Sequence, residues 1–119
     1  METLRMSEPV PPAIPLVAEG ELVRRRVLRA LKSRRRYRYV SPDVAFADGA
    51  WLVRSPCCSR NVDKAGGTID IARIEHDDET WLLYSRDHLE GLWVMRGRHA
   101  SLDALMATLC IDSERCFWP

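Results

Sequence analysis

The sequence contains no run of about 18 consecutive apolar residues, the length a membrane-spanning helix needs. Its first residues, Met1-Glu2-Thr3-Leu4-Arg5-Met6, lack the apolar stretch of a signal peptide. A cytoplasmic protein without membrane contact is therefore expected. There is no internal repeat, no low-complexity segment and no catalytic or nucleotide-binding motif of known mechanics. The four cysteines include no pair spaced as in the common structural zinc knuckle. Without an export signal they read as reduced thiols or metal ligands rather than a disulfide framework. An excess of one charge is missing too, with 18 Lys and Arg against 17 Asp and Glu.

That near-neutrality conceals a division. Residues 1–38 hold ten Lys and Arg against four Asp and Glu, or +6, and residues 39–119 hold eight against thirteen, or −5. Such asymmetry suits an anionic partner for the basic part, or two parts that attract each other on folding. With 119 residues, 46% of them apolar, the chain can bury one core.

Prolines 9, 11, 12 and 15 remove backbone donors and restrict their neighbours. Residues 1–18 are accordingly expected as an extended or disordered arm ahead of a single domain over 19–119. From Glu19 to about Arg35 the period becomes helical. Val23, Val27, Ala30 and Leu31 form one apolar stripe, and Arg25, Arg29, Lys32 and Arg36 line the opposite side.

Five strand-like runs follow, at about 37–46, 51–54, 68–75, 80–85 and 92–96, bounded by turn residues such as Asp48-Gly49, Gly66-Gly67 and Glu90-Gly91. Connections this short join antiparallel neighbours, so the sheet should be a meander. Ser101 then reads as the N-cap of a second amphipathic helix, with Asp103 in its first turn and Leu102, Leu105, Met106 and Leu109 on its apolar stripe. The expected fold class is α+β: an N-terminal basic helix, a five-stranded antiparallel meander and a C-terminal amphipathic helix.

Two places stand out from this scaffold. One is the polar loop Ser55 to Gly67, which holds the adjacent cysteines Cys57 and Cys58 with Arg60, Asn61 and Asp63. Meander topology puts this loop at the same sheet end as Arg86, Asp87 and His88. A helix of ten or eleven residues returns about 16 Å, bringing Cys116 towards the same end. Cys57, Cys58, His88 and Cys116 then form a candidate zinc set, because thiolate and imidazole are that metal's preferred ligands. A second reading makes one cysteine a nucleophile or redox thiol, its pKa lowered by Arg60 and with His88 as base. A third leaves the cysteines to packing, their usual role, and no cofactor is then required. Cys110, on the stripe of the second helix, reads as core, and His76 and His99 as turn-side residues in solvent.

The other place is the basic helix. Nine of the eighteen positive residues lie between Arg24 and Arg38. Arg25, Arg29, Lys32 and Arg36 could follow a phosphate backbone, with Tyr37 and Tyr39 adjoining to stack on bases. The competing reading pairs this face with acids of the second part, including Glu75, Asp77, Asp78 and Glu79. Trp51, Trp81, Trp93, Tyr84, Phe117 and Trp118 read as core aromatics rather than a ligand wall.

The segments Ile69-Asp70-Ile71-Ala72-Arg73, Trp81-Leu82-Leu83-Tyr84-Ser85-Arg86-Asp87-His88, Trp93-Val94 and Cys116-Phe117-Trp118-Pro119 together resemble a small uncharacterised bacterial domain family, a domain of unknown function. Its members carry a basic helix, a Trp-x-Leu-Tyr-type strand, a second Trp strand, a Leu-rich helix and a Phe-Trp ending, where glycine is commoner than this chain's Pro119. The resemblance implies the fold and a bacterial origin and transfers no functional residue. The expectation is a non-enzymatic interaction module whose basic helix contacts a protein or a nucleic acid. The alternative is a metal-binding or thiol-dependent protein using the Cys57-Cys58 loop.

Overall fold

The computed structural model describes residues 13–57 and 67–119. Helix α1 spans Ala13–Leu31, five strands follow as β1 (Asp43–Ala47), β2 (Ala50–Pro56), β3 (Thr68–Asp77), β4 (Thr80–Asp87) and β5 (Leu92–His99), and α2 (Leu102–Ile111) closes the order. All neighbouring strands pair antiparallel in the order β1-β2-β3-β4-β5, the expected meander.

Helix α1 begins six residues before Glu19, within the proline-containing stretch. Pro15 falls in its first turn, where backbone N–H groups have no intrahelical partner in any helix, so the missing donor costs little. At the other end the helix tightens. Lys32, Ser33 and Arg34 donate to carbonyls three residues back, which ends α1 at Leu31 and leaves Arg36 outside it. The arm's Pro9, Pro11 and Pro12 lie outside the described residues.

The strand expected from Tyr37 begins only at Asp43, because Arg34 holds the intervening backbone in a loop. Its guanidinium donates to the carbonyls of Leu31 (2.8 Å) and Tyr37 (2.7 Å), and to that of Val40. Tyr37 itself adopts φ +59°. The β1–β2 hairpin turns through Asp48 and Gly49 with φ of +54° and +77°, the pair of positive values that a two-residue turn of this hand requires.

Both helices pack on one face of the sheet. Val27 and Leu31 of α1 and Leu102, Leu105, Met106 and Leu109 of α2 join Trp51, Val53, Ile74 and Leu83 in one buried cluster. Ser101 caps α2 as expected, its hydroxyl accepting from the Ala104 N–H at 3.1 Å. The opposite sheet face carries a charge ladder: Asp70 lies 3.0 Å from Arg54 and 3.8 Å from Arg86. Strand alternation also turns Tyr84 and Trp93 to this face, where both are half-buried. They leave the core set read from sequence, whereas Trp51, Trp81, Phe117 and Trp118 are buried as expected. Among the described residues no helix is long and apolar enough to cross a membrane.

One close approach ties α1 to the sheet. A Cβ built on Gly20 would sit 2.4 Å from the Phe46 ring, and the Gly20 carbonyl accepts from Trp51 Nε1 at 2.9 Å. Alanine gains up to about 1 kcal/mol of helix propensity over glycine. Displacing a ring that packs 4.7 Å from Trp51 should cost more, as overpacking typically costs about 1–3 kcal/mol. We expect Gly20→Ala to lower the urea midpoint; a raised midpoint would mean the ring moves aside freely.

Candidate nucleic-acid interface

The arginines of α1 divide by what they meet. Arg24 donates to the Val44 carbonyl and lies 3.6 Å from Asp43, tying the helix to β1. Arg26 reaches Asp103 at 3.4 Å, and Arg25 pairs with Glu21 one turn back at 3.0 Å. Arg29 and Lys32 are exposed and take no ion-pair partner among the described residues. Arg25, Arg29 and Lys32 follow i, i+4, i+7 spacing and so share one solvent face.

Arg36 does not join them. The helix has ended, and its Nε lies 3.8 Å from the buried carboxylate of Asp112, too far for a hydrogen bond but close enough for charge attraction. Arg38 takes its place beside the face. Arg38 and Lys32 border one hollow of about 400 Å³ at the end of α1, and Tyr39 next to it is fully exposed. Tyr37, in contrast, packs against Trp118 with ring centres 5.5 Å apart. In the competing reading the basic helix pairs with the run Glu75 to Glu79, and among the described residues no such ion pair forms. Glu75 instead binds Arg73 at 2.7 Å and Tyr84 at 3.3 Å.

At the cysteine loop, the Cys57 N–H donates to the Gly67 carbonyl at 2.7 Å and closes the loop base. Cys58, Arg60, Asn61 and Asp63 lie outside the described residues. The register puts Cys57 and His88 at the same sheet end, as the meander required. Cys57 and Cys116 each pack half-buried against the core. Among the described residues no three His, Cys, Asp or Glu side chains are grouped to hold a metal ion, so Cys57, His88 and Cys116 do not make such a set. Burial, then the adjacent Arg86 cation, lowers the pKa of His88. Cys110 is buried, donates to the Ala30 carbonyl at 3.3 Å, and has its thiol pKa pushed up by burial.

Sequence reasoning missed an aromatic cleft at the opposite end of the sheet. It has a volume of about 660 Å³ and lies between α1 and the hairpin turns, bordered by Leu22, Arg26, Phe46, Trp51, His76 and Trp81. His76 lies flat on Trp81, with ring centres 3.9 Å apart and 4° between the planes. Trp51 stands 5.7 Å from Trp81. The signal was present as Trp51, His76 and Trp81. Only the pairing register, which sets His76 opposite Trp81, brings them together.

The fold and its surfaces define a small α+β domain with two helices on one face of a five-stranded meander, a basic helix end and an aromatic cleft. The chain belongs to the family DUF3024, a domain of unknown function, whose family model matches residues 15–119. The match takes the resemblance from the second half of the chain through α1. No curated protein and no solved structure matches the chain.

Proposed function

We propose that the protein is a cytoplasmic, non-enzymatic interaction module that binds the phosphate backbone of a nucleic acid through Arg25, Arg29 and Lys32, with Arg38 and Tyr39 at the end of the contact. The observation that carries this reading is that Arg29, Lys32 and Arg38 are exposed without an acidic partner among the described residues. The acids that the basic segment reaches across the fold sit on other arginines: Asp43 on Arg24, Asp103 on Arg26 and Asp112 on Arg36. Cations left in solvent along one helix face are placed to neutralise successive phosphates, and counterion release then drives binding. Tyr39 adds an exposed ring for base stacking.

Three phosphate contacts predict that the logarithm of the association constant falls with the logarithm of salt at a slope of about −2 on a single strand. Changing Arg25, Arg29 and Lys32 together to glutamate should weaken binding at least about tenfold at moderate salt, since each contact becomes a repulsion. Circular dichroism should be unchanged, because all three side chains are solvent-facing. Fluorescence anisotropy with a labelled oligonucleotide checks both. Binding indifferent to salt and to these substitutions would remove this face as the contact.

A further inference from the structure

We infer that the aromatic cleft holds one unpaired base of the strand whose phosphates run along α1, a claim that rests on the nucleic-acid reading above and gives it a substrate class: single-stranded nucleic acid. The cleft's 660 Å³ falls in the range of ligand pockets, and its wall combines the rings of Phe46, Trp51, His76 and Trp81 with the aliphatic Leu22 and Val23, the hydrophobic and aromatic lining such pockets carry. The indole donor of Trp51 is already satisfied by the Gly20 carbonyl, so this ring contributes apolar surface to the wall. His76 extends that surface outwards. It lies parallel on the buried Trp81 while remaining solvent-exposed itself, leaving an imidazole ring on which a further planar ring can stack.

Charge is arranged to match a base with its phosphate. Arg26 borders both the cleft and a second hollow, where it meets Arg29 at the mouth between α1 and α2. The cationic rim therefore continues from the aromatic wall onto the proposed phosphate face. Asp103, its present partner at 3.4 Å, is almost fully exposed, and an ion pair of that kind is worth little and exchanges readily. Glu19, also on the cleft rim, offers a carboxylate that accepts from the exocyclic amine of adenine.

The test compares an oligoadenylate of about twelve nucleotides, within the span such surfaces occupy, with an abasic strand of the same length. Affinities for both are measured by anisotropy in a Tyr39→Ala background, which removes the exposed ring outside the cleft, alone and with His76→Ala or Arg29→Glu added. The adenylate should bind at least about fivefold tighter than the abasic strand, the lower end of what one stacked base contributes. His76→Ala should remove most of that difference and leave abasic binding unchanged, whereas Arg29→Glu should weaken both strands alike. Equal affinity for the two strands, or a base preference that survives His76→Ala, overturns the inference while leaving the backbone reading standing, and assigns the cleft to an apolar protein segment. Failure of both strands to bind overturns the two together. His76 is exposed beside a hairpin turn, so its replacement tests stacking rather than folding.

Discussion

Asp112→Ala is expected to destabilise the protein by about 3–5 kcal/mol, the range for stripping one member from a buried charged network. Asp112 is 2% exposed, and its carboxylate gathers the chain that follows α2. It accepts from the N–H groups of Cys116 at 2.7 Å, Phe117 at 3.2 Å and Trp118 at 2.9 Å. Alanine would orphan these donors, two of them buried, at about 1–3 kcal/mol each before relaxation. It would also leave Arg36 without its counter-charge and place a Cβ residue at φ +46°, which aspartate and asparagine tolerate better than alanine. Asp112→Asn keeps the backbone preference and one acceptor oxygen, so its loss should be about half as large. Urea denaturation of the two variants checks the order. An alanine variant as stable as the asparagine one would show that water satisfies the donors and that the carboxylate is dispensable.

Ion pairs between the basic and acidic parts of the sequence do form, though not where the acidic run suggested. Arg24 reaches Asp43, Arg26 reaches Asp103 and Arg36 reaches Asp112, so the basic segment is attached to β1 and to both ends of α2. Among the described residues, Arg29 on the solvent face of α1 and Lys32 and Arg38 just past its end take no ion-pair partner. Structural and functional arginines are thus interleaved along one helix, and a wheel diagram cannot separate them.

Periodicity recovered the architecture because the meander has short turns and the helices have clean stripes. Val27 and Leu31, spaced at i, i+4, are both fully buried, and the Ser101 cap follows from a hydroxyl ahead of an apolar repeat. Readings failed where a single polar side chain overrides local pattern. Arg34 was counted among the basic residues, yet it is 9% exposed and its carbonyl contacts convert an expected strand into a loop. Arg36 was placed by extending the helical period beyond the point where the tightened last turn stops it. The aromatic cleft depends on pairing register, which sets His76 opposite Trp81 across a hairpin, and on strand order, which brings Trp51 of β2 near Trp81 of β4. Register turns on which residue opposes which, and a shift of one flips every side chain to the other face.

Trp118→Ala should have an effect comparable to that of Asp112→Ala, about 3–5 kcal/mol, because the largest fully buried side chain would leave a large cavity. Trp118 has no solvent exposure, and its Nε1 donates to the Leu109 carbonyl at 3.0 Å. One side of its ring meets Tyr37, and the Arg34 guanidinium stands 5.6 Å from its centre. These contacts make it the support for the loop between α1 and β1, the same loop that carries Arg38 and Tyr39. Removing it should loosen that segment as well as lower stability. Trp118→Phe retains an aromatic ring and forfeits the hydrogen bond, so its cost should stay near 1–2 kcal/mol. The Asp112→Ala, Trp118→Ala double variant should lose less than the sum of the two, since both loosen the same segment that follows α2. Stability curves for the three variants and the pair supply the cycle. Strict additivity would mean that the carboxylate and the indole hold the chain independently.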